Sequence, residues 1–358
     1  MTDPDGGQLQ LQVEVKPVGT PFNGTGLITG SSVPSGSVAS AFVGGLTRTK
    51  GYHWRARALD GFGAASQNWV SFGANAETDR DFVVEAPIVF ASGNGLALDI
   101  WIMNPDGSGL TRLTTNTGFD GDPEFSPDGS KITYMSSPTT GGSNRDIWVM
   151  GVDGSTKTQL TTNPGIDQNP TWSGDGTRIA FSSIRTAFSN TPDIWSMNAD
   201  GTDPRRLTTV NGPDIIPAWS RDGSRIAFVS VRDGNEELFV MNFDGSGQTQ
   251  LTFTGGSIRN TTPTWSPDGL NLAFASTRVS NNFEIYSLVV ASPTTVTRLT
   301  IRTQKQDVAP SWSRDGRRIV FASGNPNGTG YDIWRMLSNG SSQVRLTTTT
   351  PNDNAPNW

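Results

Sequence analysis

The chain has 358 residues, with 41 glycines, 22 prolines and 11 tryptophans, and it carries a formal net charge of −6 at pH 7. It has no cysteine, which excludes disulfides, zinc–cysteine sites and cysteine nucleophiles, and its negative charge argues against nucleic acid as the partner. The glycine and proline content is typical of a turn-rich all-β protein, and no apolar run is long enough to span a membrane. We therefore expect an all-β monomer without a membrane span.

Residues 1–84 differ from the rest of the chain and predict a small β domain. Apolar and polar residues alternate over 9–15 and over 52–58, as in half-buried strands, and further strands are predicted at 38–46 and 68–72. Residues 74–86 read as a linker with several charged residues. We place the boundary between two domains at 84/85.

The run YHWRARALDGFGAASQNWVSFG, residues 52–73, resembles the last strands of a fibronectin type III domain, and the resemblance covers roughly residues 8–73. Such a domain has seven strands, whereas this region has room for four or five. We therefore expect an incomplete β-sandwich and infer that the chain is a fragment of a longer protein. The resemblance implies an extracellular, periplasmic or cell-surface location, because such modules usually act as spacers there.

Residues 85–358 contain a repeat, and its clearest copy is residues 217–252. This copy predicts four strands at 217–220, 225–230, 238–242 and 248–252, with an Asp-Gly turn after the first and another after the third. Its opening Pro-x-aromatic triplet recurs at intervals of 46 or 47 residues, at Pro123, Pro170, Pro217, Pro263, Pro310 and Pro356. A Leu-Thr pair ends each unit. Four strands repeated at this period indicate the blades of a β-propeller.

The two ends of the repeat region complement each other. The first unit begins at its second strand, Ile88-Val89-Phe90, and the chain ends on an isolated first strand, Pro356-Asn357-Trp358. We therefore predict a six-bladed propeller in which the C-terminal strand completes the first blade. Closure of this kind leaves no exposed sheet edge around the ring.

The motifs Pro-x-Trp-Ser-x-Asp-Gly, Asp-Ile-Trp-x-Met and Asp-Gly-Ser-Gly resemble those of TolB-type six-bladed propellers, which have WD-like repeats, over residues 87–358. The resemblance implies a non-catalytic scaffold that works in the cell envelope through protein contacts. Related propellers also belong to peptidases with a Gly-x-Ser-x-Gly nucleophile turn, and that pentapeptide does not occur in this sequence.

An acidic residue, or its amide, stands three positions before each key proline. We call these six the ring residues: Asp120, Asp167, Asp214, Asn260, Asp307 and Asp353. Because first strands line the channel of a propeller, we expect them at one channel mouth. Two alternatives follow. Each side chain caps its own loop by accepting backbone N–H bonds, or the ring also binds a cation such as calcium, with water completing the shell.

A second acidic series opens the third strands, and three arginines precede it in the loop before that strand. The acids are Asp99, Asp146, Asp193, Glu237, Glu284 and Asp332, and the arginines are Arg185, Arg232 and Arg278. We expect local salt bridges between the two sets. We expect the repeated tryptophans to pack between blades.

Two classes of function remain open at this stage. The first is a non-catalytic scaffold that binds a protein or peptide at the acidic channel mouth; the second is a carbohydrate-active lyase or glycosidase with its site at the same mouth. The propeller region has no histidine, since His53 is the only one in the chain, and near-equivalent aspartates are poorly suited to acid–base catalysis, which needs two groups of different pKa. We therefore expect no catalytic residues and no organic cofactor.

Overall fold

The structure is a computed structural model that describes residues 8–17, 20–29, 33–34, 43, 51–59, 70–71, 82–83, 86–94, 97–137, 144–185, 191–279, 281–302, 304–325, 330–348 and 352–358. The chain divides into two compact units, Met1–Glu85 and Ala86–Trp358. The described residues include no helix with the length and hydrophobicity needed to cross a bilayer.

The N-terminal unit contains one sheet built on a long antiparallel pair. Its strands are β1 Gln8–Pro17, β2 Ile28–Thr29, β3 Val33–Pro34, β4 Gly51–Leu59, β5 Val70–Ser71 and β6 Phe82–Val83. The order is β2-β1-β4-β5, with β3 on β1 and β6 on β4. Strands β1 and β4 confirm the strands predicted over 9–15 and 52–58, but burial does not alternate along β1, where the adjacent Val13 and Glu14 are both buried. The predicted strand at 38–46 and most of the predicted linker lie outside the described residues. A β-sandwich needs a second sheet, so the fibronectin-like character stays a prediction.

The C-terminal unit consists of six four-stranded blades, which we number 1 to 6; a parallel bridge between Leu98 and Phe119 joins blades 1 and 2 into one eight-stranded sheet. Blade 1 has β7 Ile88–Asn94, β8 Ala97–Met103, β9 Thr111–Arg112 and the final strand of the chain, β30 Asn352–Asn357. Blade 2 has β10 Phe119–Phe125, β11 Lys131–Ser137, β12 Asp146–Gly151 and β13 Thr158–Gln159. Blade 3 has β14 Asp167–Trp172, β15 Arg178–Ser183, β16 Asp193–Asn198 and β17 Arg205–Arg206.

Blades 4 to 6 repeat this arrangement. Blade 4 has β18 Asp214–Trp219, β19 Arg225–Ser230, β20 Glu237–Asn242 and β21 Thr249–Gln250. Blade 5 has β22 Asn260–Trp265, β23 Asn271–Ser276, β24 Glu284–Val289 and β25 Ser292–Arg298. Blade 6 has β26 Gln306–Trp312, β27 Arg318–Gly324, β28 Asp332–Leu337 and β29 Val344–Arg345.

The predicted closure is confirmed by the pairing of the last strand with the first. Strand β30 runs antiparallel to β7, with Asn357 opposite Val89 and Asp353 opposite Ser92. Trp358 follows this strand, is buried and packs in one cluster with Phe90. The C-terminal strand therefore supplies the innermost strand of blade 1.

Each first strand begins three or four residues earlier than the triplet suggests, because it continues through a β-bulge. The register shifts at the residue before the key proline and at the proline itself, as between Ile215 and Ala218 in blade 4. Proline has no N–H for the ladder, so a bulge is where a strand accommodates it. The residue before the proline takes φ between 46° and 53° in all six blades: Asp122, Asn169, Ile216, Thr262, Ala309 and Ala355. The bulge brings the ring residues into the strands.

Each blade is locked internally by the threonine of its Leu-Thr pair. Its hydroxyl accepts the backbone N–H of the residue that follows the third-strand acid at 2.9–3.0 Å, as Thr208 does from Ile194. All six threonines are buried, and this contact ties the chain after the short outer strand to the third strand. The apolar core lies between neighbouring blades, where the strand-two phenylalanines and most of the first-strand tryptophans are buried as expected.

Candidate functional site

Antiparallel order places the turns after strands one and three at one end of the ring, which we call the turn face. The loops after strand two and those between blades lie at the other end, which we call the loop face. The Asp-Gly turns of the turn face have a structural role. In blade 2, Ser126 donates to Asp128 at 2.6 Å, and the backbone N–H of Ser130 donates to the same carboxylate oxygen at 3.0 Å. These bonds lower the pKa of Asp128 to about 2.

Two arginines cross the channel at the turn face. Arg314 of blade 6 donates to the backbone carbonyls of Ser126 and Pro127 in blade 2, the first of these at 2.8 Å. Blade 1 lies between those blades, so Arg314 reaches past it to blade 2. Arg221 of blade 4 donates to the Arg314 carbonyl at 3.0 Å. Both side chains therefore narrow this end of the channel.

All six ring residues lie at or next to the start of a first strand and are 0–1% exposed. In blades 2, 3 and 5, a strand-two serine donates to the ring residue; Ser136 does so to Asp120 at 2.6 Å. Their side chains are thus buried where the first strand begins and the second strand ends. They are not among the residues that line the channel cavities described below. The partners are mainly side chains, whereas the capping alternative expected backbone N–H groups of the same loop.

Arginines pair with ring residues in blades 3, 4 and 6. Arg185 contacts Asp167 at 2.9 Å and Arg232 contacts Asp214 at 3.0 Å. In blade 6, Arg302 comes from the loop between blades, and its Nε lies 3.7 Å from Asp307. These pairs neutralise three carboxylates, so the ring is less acidic than the sequence alone indicates. In contrast, Asp120 is held by the uncharged donors Asn116 and Ser136.

These arginines also stack on aromatic side chains of strands two and three. The Cζ of Arg232 lies 4.5 Å from the ring centroid of Phe239, and that of Arg302 lies 3.8 Å from Trp334. Arg185 and Arg278 have the same arrangement, with centroid distances of 4.9–5.1 Å. A cation over an aromatic face is stabilised by the ring quadrupole. The repeated aromatic residues thus fix one guanidinium in each of blades 3 to 6.

Blade 5 departs from the pattern because its ring residue is an amide. Asn260 Nδ2 donates to Glu237 Oε2 at 2.9 Å, and its Oδ1 accepts from Arg278 at 2.9 Å. Glu237 belongs to the third strand of blade 4, so the amide joins two blades. An aspartate here would place a second carboxylate beside Glu237, and the amide avoids this while it bonds both Glu237 and Arg278.

The equivalent joint of blade 6 keeps both acids. Asp307 is fully buried, and neither carboxylate oxygen has a hydrogen-bond partner of normal geometry among the described residues. Burial raises the pKa of Asp307, and the charge of Glu284 raises it further, whereas Ser323, Thr300 and Arg302 act in the opposite direction.

The expected partners of the second acidic series need correction. Arg185 and Arg232 pair with ring residues, and Arg278 bonds to Asn260. The third-strand acids pair instead with arginines thirteen or fourteen residues later, on the fourth strands. These pairs are Asp99–Arg112, Asp193–Arg206, Glu284–Arg298 and Asp332–Arg345. The sequence shows the charges but not which neighbouring strand each side chain reaches.

Two cavities of about 150 and 160 Å³ lie on the channel axis, and each is lined by all six blades. The residues that line these cavities include the bulge residue of each blade and the residue after each key proline. The bulge positions are Asp122, Asn169, Ile216, Thr262, Ala309 and Ala355; the others are Glu124, Thr171, Ala218, Thr264, Ser311 and Asn357. The lining differs from blade to blade, whereas the core repeats closely, so the channel has no symmetry despite the repeated fold.

Sequence reasoning missed the two channel carboxylates. Glu124 accepts the backbone N–H of Trp172 at 2.9 Å and the Thr171 hydroxyl at 3.1 Å, and burial raises its pKa to about 7. Burial also raises the pKa of Asp122, which accepts from Asn169 at 2.8 Å. The signal was available, since Glu124 is the only charged residue that directly follows a key proline.

The fit of a metal ion can be judged from the donors. Among the residues that the structure describes, no three His, Asp or Glu side chains are grouped as metal ligands. Hard cations such as calcium need six to eight oxygen ligands. An ion at the ring would therefore take most of its ligands from water, and calcium at this position stays a prediction.

The strand order and the ring closure define a six-bladed propeller with a narrowed turn face. Residues 186–358 match the family model described as "TolB beta propeller domain", which confirms the TolB-type repeats predicted from the sequence. No curated protein matches the chain by sequence.

Solved structures show the same fold at low sequence identity. TolB from Acinetobacter baumannii has a TM-score of 0.68 and 20% identity, covering 87% of this chain and 80% of that one. A putative TolB from Agrobacterium tumefaciens has a TM-score of 0.61 and 21% identity, covering 74% of this chain and 90% of that one. An oligogalacturonate lyase in complex with manganese has a TM-score of 0.50 and 16% identity, covering 73% of each chain. These similarities define the fold and leave the function to be argued from the site.

Proposed function

We propose that this chain is a non-catalytic scaffold of the cell envelope or exterior that binds a protein or peptide at the loop-face mouth of the propeller. The observation that carries the proposal is the narrowing of the channel at the turn face. Arg221 and Arg314 cross the channel at the turn face, so a ligand has easier access from the loop face. Large apolar side chains such as Phe253 and Ile301 are about three-quarters exposed on the loop face, at 75% and 74%. Exposed apolar side chains of this size mark interaction surfaces when they cluster.

Site-specific photo-cross-linking tests this proposal. A photoreactive phenylalanine analogue replaces Phe253 on the loop face or, as a control, Leu270 on the turn face, which is 62% exposed. We expect a discrete adduct from position 253 in the cell that makes the protein, and none from position 270. Adducts from neither position, or equally from both, would argue against a partner at the loop face.

We also propose that calcium binds at the ring, with Asp120 as its main protein ligand because only uncharged groups hold that carboxylate. Calcium added to metal-free protein should then raise the melting temperature, since a ligand specific to the native state stabilises it. The shift should be lost in Asp120→Asn and kept in Asp128→Asn, whose carboxylate is bound in a turn. An unchanged melting temperature with calcium would contradict the proposal.

One observation favours the alternative function, a carbohydrate-active lyase or glycosidase. Glu124 lines the channel and has a pKa of about 7, a value suited to a general acid. Asp167, in contrast, is fully buried and paired with Arg185, so it is unsuited to that role. Turnover of oligosaccharides by the intact chain that Glu124→Gln abolishes would replace the scaffold proposal.

A further inference from the structure

Three exposed apolar side chains stand beside arginines on the loop face of blades 5 and 6. Phe253 lies in the loop between blades 4 and 5, Val279 follows Arg278 in blade 5, and Ile301 precedes Arg302 in the loop between blades 5 and 6. Their exposed fractions are 75%, 63% and 74%. We call these five residues the blade 5–6 sector. Val210, 45% exposed between blades 3 and 4, extends the apolar surface on the same face.

Contacts connect the members of the sector. Thr254, next to Phe253, accepts from Asn260, whose Oδ1 accepts from Arg278. Arg278 also donates to Ser276 at 3.1 Å, and Ser276 pairs in register with Glu284. The Glu284 carboxylate accepts the backbone N–H of Arg302 at 3.2 Å. The backbone positions next to Phe253 and Ile301 are therefore linked to Arg278 and Arg302 by one network of contacts.

The arginines of this sector are less well neutralised than those of blades 3 and 4. Arg185 and Arg232 each contact a ring carboxylate within 3.0 Å. Arg278 faces the neutral Asn260 and forms no ion pair among the described residues, and Arg302 is 3.7 Å from Asp307. Burial lowers the pKa of both Arg278 and Arg302, which reflects the cost of holding these charges away from water. The charge of Glu237 acts on Arg278 without a direct ion pair, and Arg302 donates to the Gln343 side-chain oxygen at 2.8 Å. A ligand carboxylate would add a direct counter-charge to both guanidinium groups.

We infer that the blade 5–6 sector binds an acidic peptide segment of a partner protein, one that carries glutamate or aspartate beside large apolar side chains. The apolar groups of the peptide cover Phe253, Val279 and Ile301, and its carboxylates accept hydrogen bonds from Arg278 and Arg302. Guanidinium groups bind carboxylates with charge-assisted, geometrically specific bonds. This inference rests on the proposed function and adds where the partner binds and which chemistry it presents.

A labelled synthetic peptide tests the chemistry. The probe contains Glu-Phe-Leu-Glu in a Gly-Ser frame with both termini blocked, and fluorescence anisotropy with the intact chain measures its binding. We expect a version with glutamine in place of glutamate to bind about tenfold more weakly, and the affinity of the acidic probe to fall with added salt. Equal affinity of the acid and amide probes would overturn the inference.

Matched variants test the location. Arg278→Gln, Arg302→Gln and Ile301→Ser should each weaken acidic-probe binding several-fold. The controls are Arg317→Gln and Leu270→Ser on the turn face, which are similarly charged or apolar and well exposed, and they should bind as the parent chain does. Arg278→Lys keeps the charge and should retain part of the affinity, so it separates charge recognition from misfolding.

The results distinguish this inference from the broader function. Equal losses in the turn-face controls, or full binding by both arginine variants, would exclude the sector as the binding site. A cross-link from position 253 together with no preference for the acidic probe would overturn the acidic-peptide inference alone. Absence of the cross-link would contradict the scaffold function itself.

Discussion

At the scale of single residues, the joints between blades show what an amide changes at a ring position. Each joint brings a third-strand acid of one blade near the ring residue of the next, and the charge of Asp214 raises the pKa of Asp193 in this way, although burial is the larger cause. Asn260 avoids the repulsion between two neighbouring carboxylates, because its amide donates a hydrogen bond to Glu237. Asp307 makes no such bond to Glu284, and its oxygens have no hydrogen-bond partner of normal geometry among the described residues. Two reciprocal substitutions follow from this difference.

Asp307→Asn should stabilise the protein at pH 7 by on the order of 1 kcal/mol, because an amide there can donate to Glu284 as Asn260 does to Glu237. The pKa of Asp307 is raised in the folded state. Its contribution to stability is therefore fully present below the ordinary pKa of an aspartate and is lost as the pH rises through the folded-state value. The gain from Asp307→Asn, measured by denaturant unfolding, should thus shrink as the pH is lowered.

Asn260→Asp is the opposite change and serves as the control. It should destabilise the protein at neutral pH by placing a second carboxylate beside Glu237, and the loss should decrease in acid as one carboxyl takes up a proton. A gain that does not depend on pH for Asp307→Asn, or no loss for Asn260→Asp, would contradict this account of the joints.

At the scale of the elements, the repeat predicted the number of strands and blades but not where each strand begins. The predicted first strand of blade 4 began at Pro217, whereas β18 begins at Asp214, because the bulge at Ile216 lets the ladder continue past the proline. The predicted outer strand, 248–252, is reduced to Thr249–Gln250. Partner choice was also beyond the sequence, since Arg232 reaches across to Asp214 rather than to a third-strand acid. Spacing fixes the period of a repeat, whereas contacts across strands depend on side-chain direction.

The turns after the third strands also set the distance between blades. At Gly201, φ is +87° and an added Cβ would lie 2.7 Å from the Leu160 carbonyl of the previous blade. Gly176 has a similar φ of +70°, but its nearest atom would be 3.6 Å away. Both Gly→Ala variants should lose about 1 kcal/mol to backbone strain. Gly201→Ala should lose clearly more, since backbone must shift, and denaturant unfolding of both variants measures the difference. Equal losses would show that Gly201 does not control the spacing of blades 2 and 3.

At the scale of the whole molecule, the ends of the propeller unit are joined by contacts that also exist within the ring. Phe125 of blade 2 donates its backbone N–H to Asn357 at 3.1 Å, and Trp358 donates its own to Ser311 of blade 6 at 3.2 Å. Trp172 uses the same bond to Glu124 between blades 2 and 3. The sequence predicted this closure because the repeat began and ended in complementary halves. It did not predict Arg314, whose bonds to Ser126 and Pro127 connect blade 6 to blade 2 past blade 1.

The closure predicts that Trp358 controls the opening of the ring. Its indole N–H donates to the Ala86 carbonyl at 2.7 Å, and only 5% of the residue is exposed. Trp358→Ala should cost about 3–5 kcal/mol and should speed amide hydrogen exchange chiefly in blades 1 and 6, because the two blades at the joint lose their connection. Trp265, 6% exposed and bonded through its indole to Ala218, is the matched residue at an internal joint. Trp265→Ala should cost a similar free energy but should speed exchange in blades 4 and 5, where the backbone still links the two sheets. Identical exchange patterns in the two variants would mean that the ring opens without preference for the joint between its ends.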